Sequence, residues 1–423
     1  MLRARHAPSL LALILFAAPA CAPLAAHPAP QRGAGEPAAE LGDHLDWIAA
    51  GPREDIDWDV RHRGPWLRFD QRLHLLLEVR IDGKTLNRRG DRHDLLFVAR
   101  VADASGQWLP ERGLYRVRIE EPLNRRTRVV VRMGVVVRPG RLTFAVVMLD
   151  RLSGARNVFL RRLEIPPLRN DPLAAAWSSL PPAEFIGAGD QPGATRLPDV
   201  EGRLHLPVET ARPVEVEILA VLTASEQYAG SVAAQQATFA RLMPTLDVLS
   251  NLSLARGSLR LTAVDLVRRR VVYHQELTRR RLDWPALREA AGEIQPTVVS
   301  AAALEAQRER AAWFRGLLEE RLADHVGDSG ESTASPADPP PHRVLIIVSS
   351  AQLFPRRSDL EPIQLPAAAD TAVYHLEFRI EQGNLWDELG RILRPLRPRR
   401  RVIEQPIHLR RALAEILRDL NAL

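Results

Sequence analysis

The chain has 423 residues, of which 46% are hydrophobic and 26% charged, with a net charge of +6 and one cysteine. That length holds about two to three ordinary domains, and the composition excludes a disordered chain and a disulfide scaffold. Lys84 is the only lysine among the 58 basic residues; with 33 prolines and many alanines this follows a GC-rich coding bias, so the positive surplus is no argument for nucleic acid.

The first 26 residues read as a signal peptide: Arg3 and Arg5 precede a short apolar stretch, Leu10 to Ala18, and small residues follow. The stretch is too short to span a bilayer, and no later segment is long and apolar enough for a transmembrane helix. Two readings of the cleavage region stay open. Ala18-Pro19-Ala20-Cys21 is a degenerate lipoprotein box that makes Cys21 a lipidation candidate, or an ordinary peptidase cuts after Ala20 or Ala26. Both place the mature chain outside the cytoplasm: periplasm, outer-membrane lipoprotein or secreted.

Residues 27–64, rich in Ala, Pro, Gly and charge, read as a flexible tether. From 65 to 168 short runs rich in Val, Leu and Phe follow one another: Arg72 to Ile81, Asp94 to Val101, Tyr115 to Ile119, Arg128 to Val137, Leu142 to Leu149 and Val158 to Ile165. Turn signals such as Asp82-Gly83, Ser105-Gly106 and Pro139-Gly140 separate them, with no helical period between, which predicts an antiparallel β-sandwich. Residues 169–212 are punctuated by proline and read as a linker with one short strand near Arg203 to Val208.

The region 213–423 alternates strands with helices, so the whole is α/β plus all-β. Val214 to Leu222 is a continuous apolar run, as in a strand buried on both faces. Val232, Phe239, Leu242, Leu246 and Leu249 mark a helix that Pro244 should kink or divide. Ser258 to Leu266 and Arg270 to Leu277 form a hairpin, followed by helices over Trp284 to Ile294 and Ser300 to Asp324. A polar, Pro-rich loop at 327–341 is expected to be mobile. Strands His342 to Ser350 and Thr371 to Ile380 follow, and a last helix shows Leu409, Leu413, Ile416 and Leu420 on one face.

This order resembles a von Willebrand factor A domain, and the whole chain resembles bacterial exported proteins described as related to that family. The β-rich part resembles immunoglobulin-like or fibronectin-like modules in architecture. The family resemblance implies a metal-ion-dependent adhesion site built from Asp-x-Ser-x-Ser after the first strand, a threonine on a later loop and an aspartate after the fourth strand. Here the first motif aligns with Thr223-Ala224-Ser225-Glu226-Gln227, so only Ser225 matches, and the later aspartate falls at Ser349-Ser350. Neutral hydroxyls hold Mg²⁺ poorly against its hydration shell, so no metal and no cofactor are expected. Glu226 is the one carboxylate able to serve from a shifted position.

Ligands of open α/β sheets sit beyond the carboxyl ends of strands. The candidate partner-binding rim is therefore Thr223, Ser225, Glu226, Ser349, Ser350 and Gln352. Ordinary capping explains the same residue types. Gly327-Asp328-Ser329-Gly330 matches a protease nucleophile motif but lies in a loop of a different fold, and no G-x-S-x-G, phosphate loop or H-E-x-x-H occurs. The basic runs Arg279 to Arg281 and Arg397 to Arg401 read as solvated faces or as sites for an acidic partner, and they lack the interleaved aromatics of a nucleic-acid groove. The expectation is a non-enzymatic interaction, adhesion or scaffold protein of the bacterial envelope with a protein or envelope partner. A metal-dependent adhesion domain with shifted ligands and an envelope hydrolase with an unrecognised site are the alternatives.

Overall fold

The computed structural model describes residues 44–186, 200–223, 232–278, 280–292, 294, 301–327, 341–352, 363, 371–379 and 389–423. The elements begin with α1 (His44–Ala49), β1 (Arg53–Glu54), β2 (Asp59–Leu67), β3 (Leu73–Asp82), α2 (Gly83–Asn87), β4 (His93–Ala102) and β5 (Gly113–Ile119). Then come β6 (Arg128–Val137), β7 (Gly140–Asp150), β8 (Arg156–Ile165), a 3-10 turn at Ala174–Ser179, β9 (Ala183–Phe185) and β10 (Leu206–Val208). The second half holds β11 (Val214–Val221), α3 (Val232–Leu249), β12 (Leu252–Leu254), β13 (Gly257–Asp265), β14 (Arg270–Glu276), α4 (Trp284–Gly292) and α5 (Ala301–Gly327). It closes with β15 (His342–Ser350), β16 (Thr371–Phe378), α6 (Leu389–Ile392), β17 (Arg399–Ile403) and α7 (Pro406–Asn421).

The β-rich half is two antiparallel sheets, ordered β1-β8-β7-β4-β5 and β2-β3-β6-β9. Period-two alternation explains both. Leu73, Leu75, Leu77, Val79 and Ile81 of β3 enter the same apolar cluster as Leu95, Phe97, Ala99 and Val101 of β4, while His74, Leu76, Glu78, Arg80 and Asp82 alternate with them. On the other side of β4 and β7, Leu96, Val98, Ala145 and Val147 pack under Trp47 and Ile48 of α1.

Two expectations are corrected here. Residues 44–64 of the expected tether carry α1, β1 and the first part of β2, because Ile48 and Ile56 are buried and Asn157 holds the Asp55 and Ile56 amides at 2.9 Å. The expected linker holds a second strand besides the one expected near Arg203 to Val208: β10 is that strand and pairs in parallel with β12, while β9, which was not expected, pairs with β6.

The second half is mixed, with five parallel strands and one antiparallel edge strand, ordered β14-β13-β11-β15-β16-β17. Val214, Val216, Ile218 and Ala220 of β11 join one apolar cluster, and Leu219 and Val221 join the other, so this strand is covered on both faces. Residues of α3, α4 and α7 cover the first face; Phe314 and Leu318 of α5 with Leu389 and Ile392 of α6 cover the second. Pro244 lies inside one continuous α3, with the Thr245 hydroxyl donating to Arg241 O at 2.8 Å. Strand β17 was not foreseen: three consecutive arginines hide its pattern.

The halves are joined through buried groups. Arg410 of α7 donates to both Asp171 oxygens, Nε to Oδ1 at 2.6 Å and Nη2 to Oδ2 at 2.9 Å, with its guanidinium carbon 4.4 Å from the Trp177 ring centroid. Trp177 Nε1 donates to the same Asp171 at 2.5 Å. Arg203 reaches Asp247 of α3 at 3.3 Å, and Phe69 meets Phe378 at 5.8 Å between centroids.

Candidate functional site

Both neighbours of β11, β13 and β15, are reached by crossovers on opposite faces, so the crevice of this sheet opens beyond the carboxyl ends of β11 and β15. Thr223 lies two residues beyond Val221, which pairs with Ser349 on one side and Val264 on the other. The sequence-derived candidates therefore converge here, as far as they are described.

Four of them touch. The Thr223 carbonyl accepts from Gln352 Nε2 at 2.8 Å and from Ser350 Oγ at 3.2 Å, and Gln352 Nε2 lies 3.0 Å from Ser350 Oγ. The Thr223 hydroxyl accepts from the Leu266 amide at 2.9 Å and donates to Asp265 Oδ1 at 3.4 Å. Gln235 of α3 adds a bond from Nε2 to Leu222 O at 3.2 Å. Thr223, Ser349, Ser350 and Gln352 are all buried. Thr223, Ser350 and Gln352 form a hydrogen-bonded floor across the strand ends, not an exposed rim. Ser225 and Glu226 lie outside the described residues, as do Cys21 and the Asp328-Ser329-Gly330 part of the protease-like motif.

Asp265 is the residue that the sequence reading missed. It ends β13 and accepts from the Val267 amide at 3.0 Å and the Arg268 amide at 3.3 Å as well as from Thr223. Its signal was present: an aspartate at the end of an apolar run opens a turn by accepting from the amides that follow. It brings a carboxylate to the floor, but the lone pairs facing Thr223 and the turn are engaged. Among the described residues no group of three His, Cys, Asp or Glu is placed to hold a metal ion.

A second polar row lies on the α5 side of the sheet. Ser349 Oγ and His375 Nε2 share a hydrogen bond at 3.0 Å, and neither residue reaches solvent. Burial pushes His375 down to about 4, so the ring is neutral at ordinary pH. Its Nδ1 has no partner among the described residues. Glu377, two positions along β16, accepts instead from Arg379 Nε at 2.9 Å and Arg400 Nε at 2.5 Å. Among the described residues this serine–histidine pair has no carboxylate to orient the imidazole, and both side chains are buried.

The basic run is also accounted for. Arg399, Arg400 and Arg401 of β17 pair with Asp419, Glu377 and Glu415. Arg280 and Arg281 precede α4, and Arg279 lies outside the described residues.

No family model and no curated protein matches the sequence. Solved structures give weak likenesses. A von Willebrand factor type A protein from Catenulispora acidiphila is 12% identical with a TM-score of 0.27, covering 67% of this chain and 46% of that one. A family 123 glycoside hydrolase from Clostridium perfringens is 7% identical with a TM-score of 0.24, covering 82% and 72%. A beta-glucosidase from Listeria innocua is 10% identical with a TM-score of 0.18, covering 27% and 17%. The chain spans about half the length of the first of these.

Proposed function

We propose that this chain is a non-catalytic interaction protein of the bacterial envelope, exported by its N-terminal segment, whose second half is a von Willebrand factor A-like domain working without a metal. The β-rich half serves as an immunoglobulin-like or fibronectin-like sandwich that spaces or supplements it. The observation that carries the reading is the floor at the strand-end crevice. Where the resemblance puts charged metal ligands, Thr223, Ser350 and Gln352 are bonded to one another and to backbone. A divalent cation would have to break those bonds and shed its water for neutral oxygens. The strand-end position itself supports partner binding, since this is where such sheets present ligands. Among the described residues no helix is long and apolar enough to cross a membrane, so Cys21 is the proposed anchor if the chain is held at a membrane.

Calorimetric titration of the full-length protein with Mg²⁺, Mn²⁺ and Ca²⁺ tests the site directly. No saturable heat is expected. Tight binding that disappears in Glu226→Ala would overturn the metal-free reading and establish a shifted ligand set.

A further inference from the structure

The outer face of the four-stranded sheet has a different chemistry from the strand-end floor. Glu78 sits at its centre with 1% of its side chain exposed, beneath Arg63, Arg80 and Arg132, which keep 59%, 27% and 55% of theirs. Arg80 Nε donates to Oε1 at 2.7 Å, Arg132 Nε to Oε2 at 2.9 Å, and Arg63 Nη2 lies 3.5 Å from Oε1. Strand register extends the pattern. Arg61, Glu78 and Arg132 share one row across β2, β3 and β6; Asp59, Arg80 and Val130 share the next; Asp82 and Arg128 the one after. Five arginines therefore meet three carboxylates on one face, in rows about 7 Å apart. One buried carboxylate cannot neutralise the three cations around it, and the surplus is displayed outward.

The other sheet makes the contrast. Its outer face is covered by Trp47 and Ile48 of α1. On this face Val130 remains 36% exposed, and Trp66, held edge-on against His74 at 4.7 Å between ring centroids, remains 41% exposed.

We infer that this face binds an anionic polysaccharide through Arg63, Arg80 and Arg132. Guanidinium forks match carboxylate and sulfate oxygens in two-point contacts. Ile186 and Val200 cover Val136 at one end of the face, and over the rest the exposed large apolar side chains among the described residues are Val130 and Trp66, fewer than the packed anchors a protein partner uses. Too few apolar side chains protrude to enter a bilayer. A hydrated, regularly charged chain asks only for spaced donors, and Trp66 offers a sugar ring an aromatic surface at one end. This inference stands apart from the reading of the α/β half, and neither depends on the other.

The test uses full-length protein and fluorescein-labelled heparin as the sulfated polysaccharide probe. Saturable binding that weakens steeply with added salt is expected. Arg63→Gln with Arg132→Gln should lower affinity at least about tenfold, a loss of about 1.4 kcal/mol. The charge-matched control is Arg92→Gln with Arg141→Gln, two arginines 67% and 80% exposed on or beside the other sheet, which should lower it less than about twofold. Circular dichroism verifies that both variants keep the fold. Absence of binding, equal losses in the two double variants, or stronger binding to poly-L-glutamate or to phosphatidylglycerol vesicles than to heparin would each overturn the inference.

Discussion

Arg410 and Asp171 are 239 residues apart in sequence and form a two-point ion pair with 0% and 4% of their side chains exposed. Such a pair has left water on both sides, so removing one partner strands the other. Arg410→Ala should cost about 3–5 kcal/mol, seen as a shifted midpoint in urea unfolding. Arg410→Lys should recover little, because an ammonium lacks the planar fork and the stacking on Trp177. Burial alone would raise the Asp171 carboxyl, but Arg410, the Leu173 amide and Trp177 together outweigh it and hold it below its ordinary value. Its contribution is therefore complete above the ordinary carboxylate range and fades as pH falls through the lowered value; Asp171→Asn should remove that part of the acid response.

His375 gives a second pH dependence. Burial lowers it from 6.5 to about 4, so the unfolded chain takes up the proton first as pH falls. Stability should be undiminished above pH 6.5 and decline between 6.5 and about 4, by about 3 kcal/mol over the whole window. In urea titrations, His375→Gln should flatten this decline, and an unchanged pH profile would show that the ring is not buried as described.

The strand-end floor predicts a polar penalty. Thr223→Val keeps the shape but leaves the Leu266 amide without its 2.9 Å acceptor. A loss of about 1–3 kcal/mol is expected, with Thr223→Ser losing less because it retains the oxygen. Thermal unfolding of the two variants side by side measures the difference.

Gly257 opens β13 opposite Val214 of β11. A Cβ built there would stand 1.9 Å from Val214 O, and its φ is +119°. Gly257→Ala should prevent the β11–β13 register and cost more than about 3 kcal/mol or abolish soluble folded protein. Gly154, with φ +73° but nothing within 4 Å, is the comparison: Gly154→Ala should cost only about 1–2 kcal/mol. Urea unfolding of both variants, with soluble yield recorded for the first, checks the contrast.

Much of the fold was legible in the sequence where one pattern dominated. The apolar run of β11, the alternation of β3 and the three- and four-residue steps of α7 each name their own burial. What escaped was structure whose cause lies elsewhere in the chain. Ile56 is buried through Asn157, and β9 exists because β6 has a free edge at Val135 to Val137. β17 is an edge strand whose arginines pair with Glu377, Glu415 and Asp419, so no local alternation could reveal it. The candidate site divides in the same way. Strand ends were readable from apolar runs, and Thr223, Ser350 and Gln352 do meet there. That they bond to one another and to Asp265 depends on the register between strands, which no single strand carries.

The clasp at Asp171 has a consequence for biogenesis. Its partner is synthesised 239 residues later, after the whole parallel sheet. Until then the segment that joins the halves carries an aspartate and a tryptophan built for burial but still in water. The β-rich half can pair its strands early, yet its trailing segment waits, exposed to proteases and to wrong pairings, for a helix that arrives at the far end of the chain.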